Sequence, residues 1–274
     1  MRPPHTGDRV YRHSVAARTA HWLWALSILV LVMSGLQIFN ASPNLDASDK
    51  SDATRRVLAI DAHQKPDGAV VGTTTVFGHA FTTTHLLGYT AGGDGSEAPR
   101  AFPSWVTLPG TQDLADGRRW HILFAWGLVF AMGVYLVSAL FRGSLKELLL
   151  RPSDLPKLWP MQMYYFKLRK DPPPHGTYNP LQKLAYTGIL FVVFPLVVLT
   201  GLALAPGVDA AAPWLTQAFG GRQFARLWHF ALMALLVIYT GGHIALVIMT
   251  GAWNNTRSMI TGRFVLGPHD GVGP

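Results

Sequence analysis

Four long apolar stretches punctuate the chain, at residues 20–39, 121–141, 184–204 and 227–248. None carries Lys, Arg, Asp or Glu in its interior. An α-helix rises about 1.5 Å per residue, so roughly 20 apolar residues cross a hydrocarbon layer about 30 Å thick. The pattern predicts four membrane-spanning helices. Residues 40–120, between the first two, are rich in Gly, Thr, Asp and Pro and show no sustained helical period. They predict a partly ordered cap outside the membrane, since a connection this long is usually functional or disordered. The connection 142–183 mixes Leu148, Leu149, Leu150, Leu158, Trp159 and the apolar run 161–166 with lysines. That mixture predicts a segment lying at the membrane interface. Pro172, Pro173 and Pro174 end it, Tyr178-Asn179-Pro180 opens the third span, and Pro195 predicts a kink within that span. No internal repeat of fixed period stands out.

The charges set a direction. Residues 1–20 hold Arg2, Arg9, Arg12 and Arg18 against Asp8, and 142–183 hold eight Lys/Arg against three acids. The tail adds Arg257 and Arg263 against Asp270. Residues 41–119, in contrast, hold seven Lys/Arg and nine acids. Basic segments thus alternate with less basic ones, as the positive-inside rule requires. The fold expected is all-α, an integral membrane four-helix up-down-up-down bundle with a long external insertion between helices 1 and 2. Its parts are a cytoplasmic N-terminus (1–19), span one (20–39), the external insertion (40–120) and span two (121–141). A cytoplasmic connection (142–183), span three (184–204), an external loop (205–226), span four (227–250) and a cytoplasmic tail (251–274) follow. The location expected is the bacterial inner membrane, with both termini cytoplasmic. The first span also follows a basic N-terminus, as a signal peptide would, but its run is too long for an h-region and contains His21, Trp22 and Trp24.

Composition narrows the chemistry. Hydrophobic residues make up 49% and charged residues only 14%, low for a soluble domain. The net charge of +8 lies in the loops on one side, which points to membrane topology and away from nucleic acid. There is no cysteine, so thiolate-ligated iron–sulfur clusters, thioether-attached haem and disulfides are excluded. Histidine is left as the strong metal ligand. Four of the eleven histidines fall in spans: His21, His121, His229 and His243. His229 and His243 are fourteen residues apart. On a helix that is about 21 Å of rise and nearly four whole turns, so both face one side near opposite membrane edges. By the charge topology His21 and His243 share the cytoplasmic level, and His121 and His229 the external one. Two axial imidazoles on facing helices make a six-coordinate haem site, and two pairs so far apart make no four-ligand zinc site. A histidine at a span edge is also an ordinary interfacial residue, and each of the four admits that reading taken alone.

Smaller features bear on the same idea. Gly35 lies fourteen residues after His21, at the level of the other pair, and Gly241 and Gly242 precede His243. A flat macrocycle between helices needs positions without side chains, although small residues are also common at membrane helix contacts. Haem propionates need cationic partners; Arg18 and Arg257 are candidates inside, and Arg119, Arg222 and Arg226 outside.

The stretches YRHSVAARTAHWLWALSILVLVMSGLQIFN, GRRWHILFAWGLVF, YNPLQKLAYTGILFVVFPLVVLTGLALAP and GGRQFARLWHFALMALLVIYTGGHIALVIMTGAWNNTRSMITGR carry a resemblance. The chain resembles prokaryotic di-haem cytochrome b561-type membrane subunits. These include the b-type cytochromes of nickel–iron hydrogenases and the gamma subunit of respiratory formate dehydrogenase. It looks most like the thiosulfate-reductase-like cytochrome b and cytochrome b/b6-domain subgroup. The resemblance implies two haem b groups, with His121 and His229 on the external iron and His21 and His243 on the cytoplasmic one. It implies exchange with a quinone (ubiquinone or menaquinone). Asn179 stands where the formate dehydrogenase subunit has a quinone-holding Asn; Gln182 follows one turn later, and His13 lies in reach. Asn179 before Pro180 is equally an ordinary helix start. The subgroup is often encoded with a sulfite-oxidase-like molybdenum protein, which implies an external redox subunit docking on 40–120. His63, His79 and His85 match no ligand.

The expected function is a di-haem electron-transfer subunit between the quinone pool and that partner, rather than a complete enzyme, with no catalytic side chain. Two alternatives remain at this stage. One is a self-sufficient oxidoreductase in which a small oxidant such as superoxide reacts with quinone; the other is a haem-free anchor or transporter.

Overall fold

The computed structural model describes residues 7–176 and 178–267; Arg2 and Asp270, part of the charge pattern above, lie outside the described residues. The chain divides into two compact units. Four helices are long and apolar enough to cross a membrane. Apolar side chains such as Leu29, Phe130, Val192 and Ile238 stand exposed along them, as lipid-facing residues do.

The elements in chain order begin with β1 (Arg9–Tyr11) and α1 (Val15–Asn40). The insertion then contributes β2 (Asn44–Asp46), β3 (Arg56–Gln64), β4 (Val70–Val76), β5 (His79–Thr82), β6 (Gly88–Ala91) and β7 (Glu97–Arg100). Next come α2 (Leu114–Phe141), α3 (Leu145–Leu148), α4 (Leu155–Tyr165) and α5 (Pro180–Gly188). After a π turn over Ile189–Val193 follow α6 (Phe194–Leu204), α7 (Pro206–Ala211), α8 (Pro213–Ala218), α9 (Arg222–Met249), α10 (Ala252–Thr261) and β8 (Arg263–Val265). The all-α expectation is therefore corrected: the insertion is a β structure. Its β-branched residues, such as Val57, Ile60 and the Val/Thr residues of β4, favour extended backbone over helix.

The unit made of residues 23–130 and 197–234 contains the insertion. Strands β2-β3-β4-β5 form an antiparallel sheet in that order, and β6 and β7 a second pair. The turn between β4 and β5 is Phe77-Gly78, both at positive φ, the conformation a tight two-residue hairpin demands. Phe39 of α1, Leu45, Ile60 and Ala101 make the core beneath the sheet, flanked by Leu227 and Phe230 of α9. Asp46, fully buried, accepts from Arg56 Nε (3.0 Å), Ser51 Oγ (3.1 Å) and the Asp52 N–H (3.0 Å). Arg226 of α9 donates to the Ser42 (2.8 Å) and Asn44 (3.3 Å) carbonyls, tying the start of the insertion to the helix.

The unit made of residues up to 22, 131–196 and 235 onward brings the first and last described strands together. β1 pairs antiparallel with β8, Val10 opposite Phe264. Gly262 turns the chain into β8 at φ +80, and a Cβ there would lie 2.8 Å from the His13 carbonyl oxygen, so only glycine fits. Trp22 Nε1 donates to the Met259 carbonyl (3.0 Å). Lys183 Nζ pairs with the buried Asp154 carboxylate (3.0 Å), joining α5 to the turn before α4. Burial alone would raise the Asp154 carboxyl, but the Arg151 N–H and Lys183 hold it below the usual range.

Candidate functional site: two imidazole pairs

Each unit holds one pair of histidines. In the first, His21 of α1 and His243 of α9 have ring centroids 6.3 Å apart. In the second, His121 of α2 and His229 of α9 are 6.1 Å apart. A first-row metal sits about 2.0 Å from an imidazole nitrogen, itself about 1.1 Å from the ring centroid, so two rings across one metal have centroids about 6.2 Å apart. Both pairs stand at that separation, with no side-chain hydrogen bond between the rings.

The two pairs differ in what surrounds them. His121 lies in the third turn of α2, and its Nδ1 is 3.1 Å from Ser34 Oγ. His229 Nδ1 is 2.9 Å from Thr200 Oγ1. Ser34 donates its own proton to the Val30 carbonyl (2.7 Å) and Thr200 to that of Val197 (3.0 Å). Each hydroxyl oxygen is thus an acceptor for the ring, and Nδ1–H is the donor. With Nδ1 engaged, Nε2 is the nitrogen each ring has left for a metal. Gly35 and Gly201 make the room: a Cβ would lie 3.4 Å from His121 Cε1 at the first and 3.2 Å from His229 Cε1 at the second. Gly35 therefore stands at the His121 level, as its spacing predicts, but against the imidazole ring.

Around the other pair, Tyr239 stacks on His243 at 6.1 Å and 22°. His21 Nδ1 and Arg18 Nε are buried with no hydrogen-bond partner among the described residues. Arg18 donates through Nη1 to the Ile260 carbonyl, so Nε is the donor it has left, and a buried leftover cationic donor fits an anionic group. His13 lies nearby, and burial first, then the Arg12, His21 and Arg18 charges, hold its pKa down to about 4. It is therefore neutral at physiological pH. Asn179 and Gln182 form a reciprocal capping box at the start of α5: each side-chain oxygen accepts from the other's backbone N–H. Asn179 Nδ2 donates to Tyr165 Oη (2.9 Å).

The remaining cations have their own bonds. Arg119 pairs with Asp116 at 2.8 Å on the surface, and Arg222 reaches Asp209 (3.5 Å) and the Leu204 carbonyl (3.1 Å). Arg226 holds the insertion, and Arg257 donates to Asn254 Oδ1 (3.2 Å). Sequence reasoning overlooked Ser34, Thr200 and Gly201. Their signal was present as VLVMSGL at 30–36 and LVVLTGL at 196–202, a hydroxyl residue followed by glycine at the same place in two spans.

A family model described as prokaryotic cytochrome b561 matches residues 12–262. A protein of Azospira oryzae described as a putative protein-methionine-sulfoxide reductase subunit, YedZ1, is 26% identical over 239 residues, covering 86% of this chain and 90% of its own. No solved structure matches the chain significantly.

Proposed function

The chain belongs to the prokaryotic cytochrome b561 family, and we propose that it is a di-haem b-type cytochrome subunit carrying electrons across the bacterial inner membrane between the quinone pool and an external redox partner. Family membership and four apolar helices make it a multi-pass membrane b-type cytochrome with an electron-transfer role. The observation that carries the di-haem reading is the separation of the imidazole pairs, 6.3 and 6.1 Å. His21 with His243 would hold one haem, and His121 with His229 the other. When bound, each haem supplies a one-electron iron couple.

The protein's part is ligation and surroundings. Arg18, which donates from Nη1 to the Ile260 carbonyl and keeps a buried Nε without a partner among the described residues, is a candidate to take a propionate at the His21/His243 pair. Arg257 is a second candidate there, and Arg119 and Arg222 are candidates at the other pair; Arg226 is already spent on the insertion. Asn179, Gln182 and the neutral His13 remain the quinone candidates, and the capping box leaves Gln182 Nε2 as the donor to offer. By the charge pattern this end is cytoplasmic and the insertion external.

The insertion supports a docking role. Phe77, Phe81, Leu86 and Trp105 stand exposed on it, and β5 is an edge strand with one side unpaired. The relative being described as a subunit supports a partner of oxidoreductase type. Moving one charge through 100 mV is worth about 2.3 kcal/mol, which is the coupling to membrane potential such a subunit offers. The test is to add a reduced quinone to the oxidised, haem-loaded protein in detergent. Appearance of the reduced b-type absorbance supports the reading. Failure of quinol to reduce protein that dithionite reduces contradicts it.

A further inference from the structure

Serine and threonine in helices commonly bond a carbonyl one turn back, and Ser34 and Thr200 both do so. What is uncommon is that each oxygen also meets an imidazole, His121 at 3.1 Å and His229 at 2.9 Å. Both hydroxyl residues are completely buried, and each is followed by the glycine that gives the ring its room.

We propose that Ser34 and Thr200 are positioning residues that lower the redox potential of the centre held by His121 and His229. The proposal rests on the reading of those histidines as haem ligands. An acceptor on the far ring nitrogen fixes the tautomer and draws the N–H proton away from the ring. Nε2 becomes the more basic donor, and a more basic donor favours the ferric over the ferrous state. The other pair lacks this support on His21, whose buried Nδ1 has no partner among the described residues. The two centres are therefore unequal in ligand strength, and the inequality is written into two spans as a repeated hydroxyl–glycine hook.

The experiment is a redox titration, followed by visible absorbance, of full-length haem-loaded protein and its variants, with a haemochrome count on each sample. Thr200→Val keeps the volume and loses the hydroxyl. It should move one of the two reduction waves to higher potential and leave the other in place. Ser34→Ala should move the same wave, and the double variant should move it further. Thr200→Ser and Ser34→Thr keep a hydroxyl and should leave both waves where they were. The wave that moves should be the one lost in His229→Ala. A Thr200→Val protein with two haems and unmoved waves overturns the proposal, as does an equal shift of both waves. If Thr200→Val or Ser34→Ala loses its haem, so must the matching hydroxyl-keeping variant retain it at the parent potential, or the proposal falls. Fewer than two haems in the parent protein would instead bring down the ligand assignment on which the proposal stands.

Discussion

At the scale of single residues, the candidate histidines stand out in the sequence and the hydroxyls beside two of them do not. A histidine in an apolar span is conspicuous because its cost demands a reason, and two at fourteen residues share a helix face. Ser34 and Thr200 escape notice because a hydroxyl in a membrane helix can satisfy itself against its own backbone. Span three also carries no histidine, so nothing in it drew attention to Thr200. Gly35 and Gly201 stand beside the rings of His121 and His229, where an added Cβ would lie 3.4 and 3.2 Å from Cε1. A testable consequence follows from that closeness. A Cβ at Gly201 would already stand 3.2 Å from His229 Cε1, and the branched side chain of Gly201→Val would force the ring away. Gly201→Val should lower haem content from two to about one per chain on the ligand arithmetic of two axial imidazoles per iron. Pyridine haemochrome analysis of the purified variant would read it, and an unchanged content would show that the ring tolerates displacement.

Among the elements, the spans were predicted from composition because hydrocarbon leaves the backbone little choice but a helix. Helices α2 and α9 begin earlier than the apolar stretches, at Leu114 and Arg222, so that His121 and His229 lie inside helices with turns before them. The bend expected from Pro195 finds its counterpart in the π turn Ile189–Val193 just ahead of it, where hydrogen bonding widens before a residue with no N–H to give. The insertion was the least legible part. Its longest strands, β3 and β4, carry consecutive apolar or Thr residues in place of the strict alternation that marks a strand. Asp46 is the test of how it is held. Burial alone would raise this carboxyl, but Arg56, the Asp52 N–H and Ser51 keep it below the usual range. A depressed folded pKa contributes stability that is present above the ordinary carboxylate value of about 3.9 and lost as pH falls through the folded one. The insertion should therefore loosen selectively below about pH 4, seen as faster amide exchange over residues 44–64. Asp46→Asn should bring part of that loosening to neutral pH, at a cost of about 2–3 kcal/mol for hydrogen bonds to a charged group. Equal exchange rates in both proteins across that range would remove Asp46 as an anchor.

For the molecule as a whole, the proposed sidedness rests on the charge pattern, and the absence of cysteine makes it easy to test. In intact cells, Lys65→Cys in the insertion should react with a membrane-impermeant thiol reagent. Lys170→Cys, in the connection between spans two and three, should react only after permeabilisation. The reverse pattern would invert the topology and move the His21/His243 pair to the outer side. Beneath sidedness, potentials and partners lies one claim, that this chain places two metal centres in one membrane protein. The direct measurement is the dithionite-reduced minus oxidised spectrum of the purified protein with a pyridine haemochrome count. The account predicts b-type bands and two haems per chain, falling to about one in His243→Ala. A well-folded protein with no haem, or with the same content after loss of His243, would contradict it.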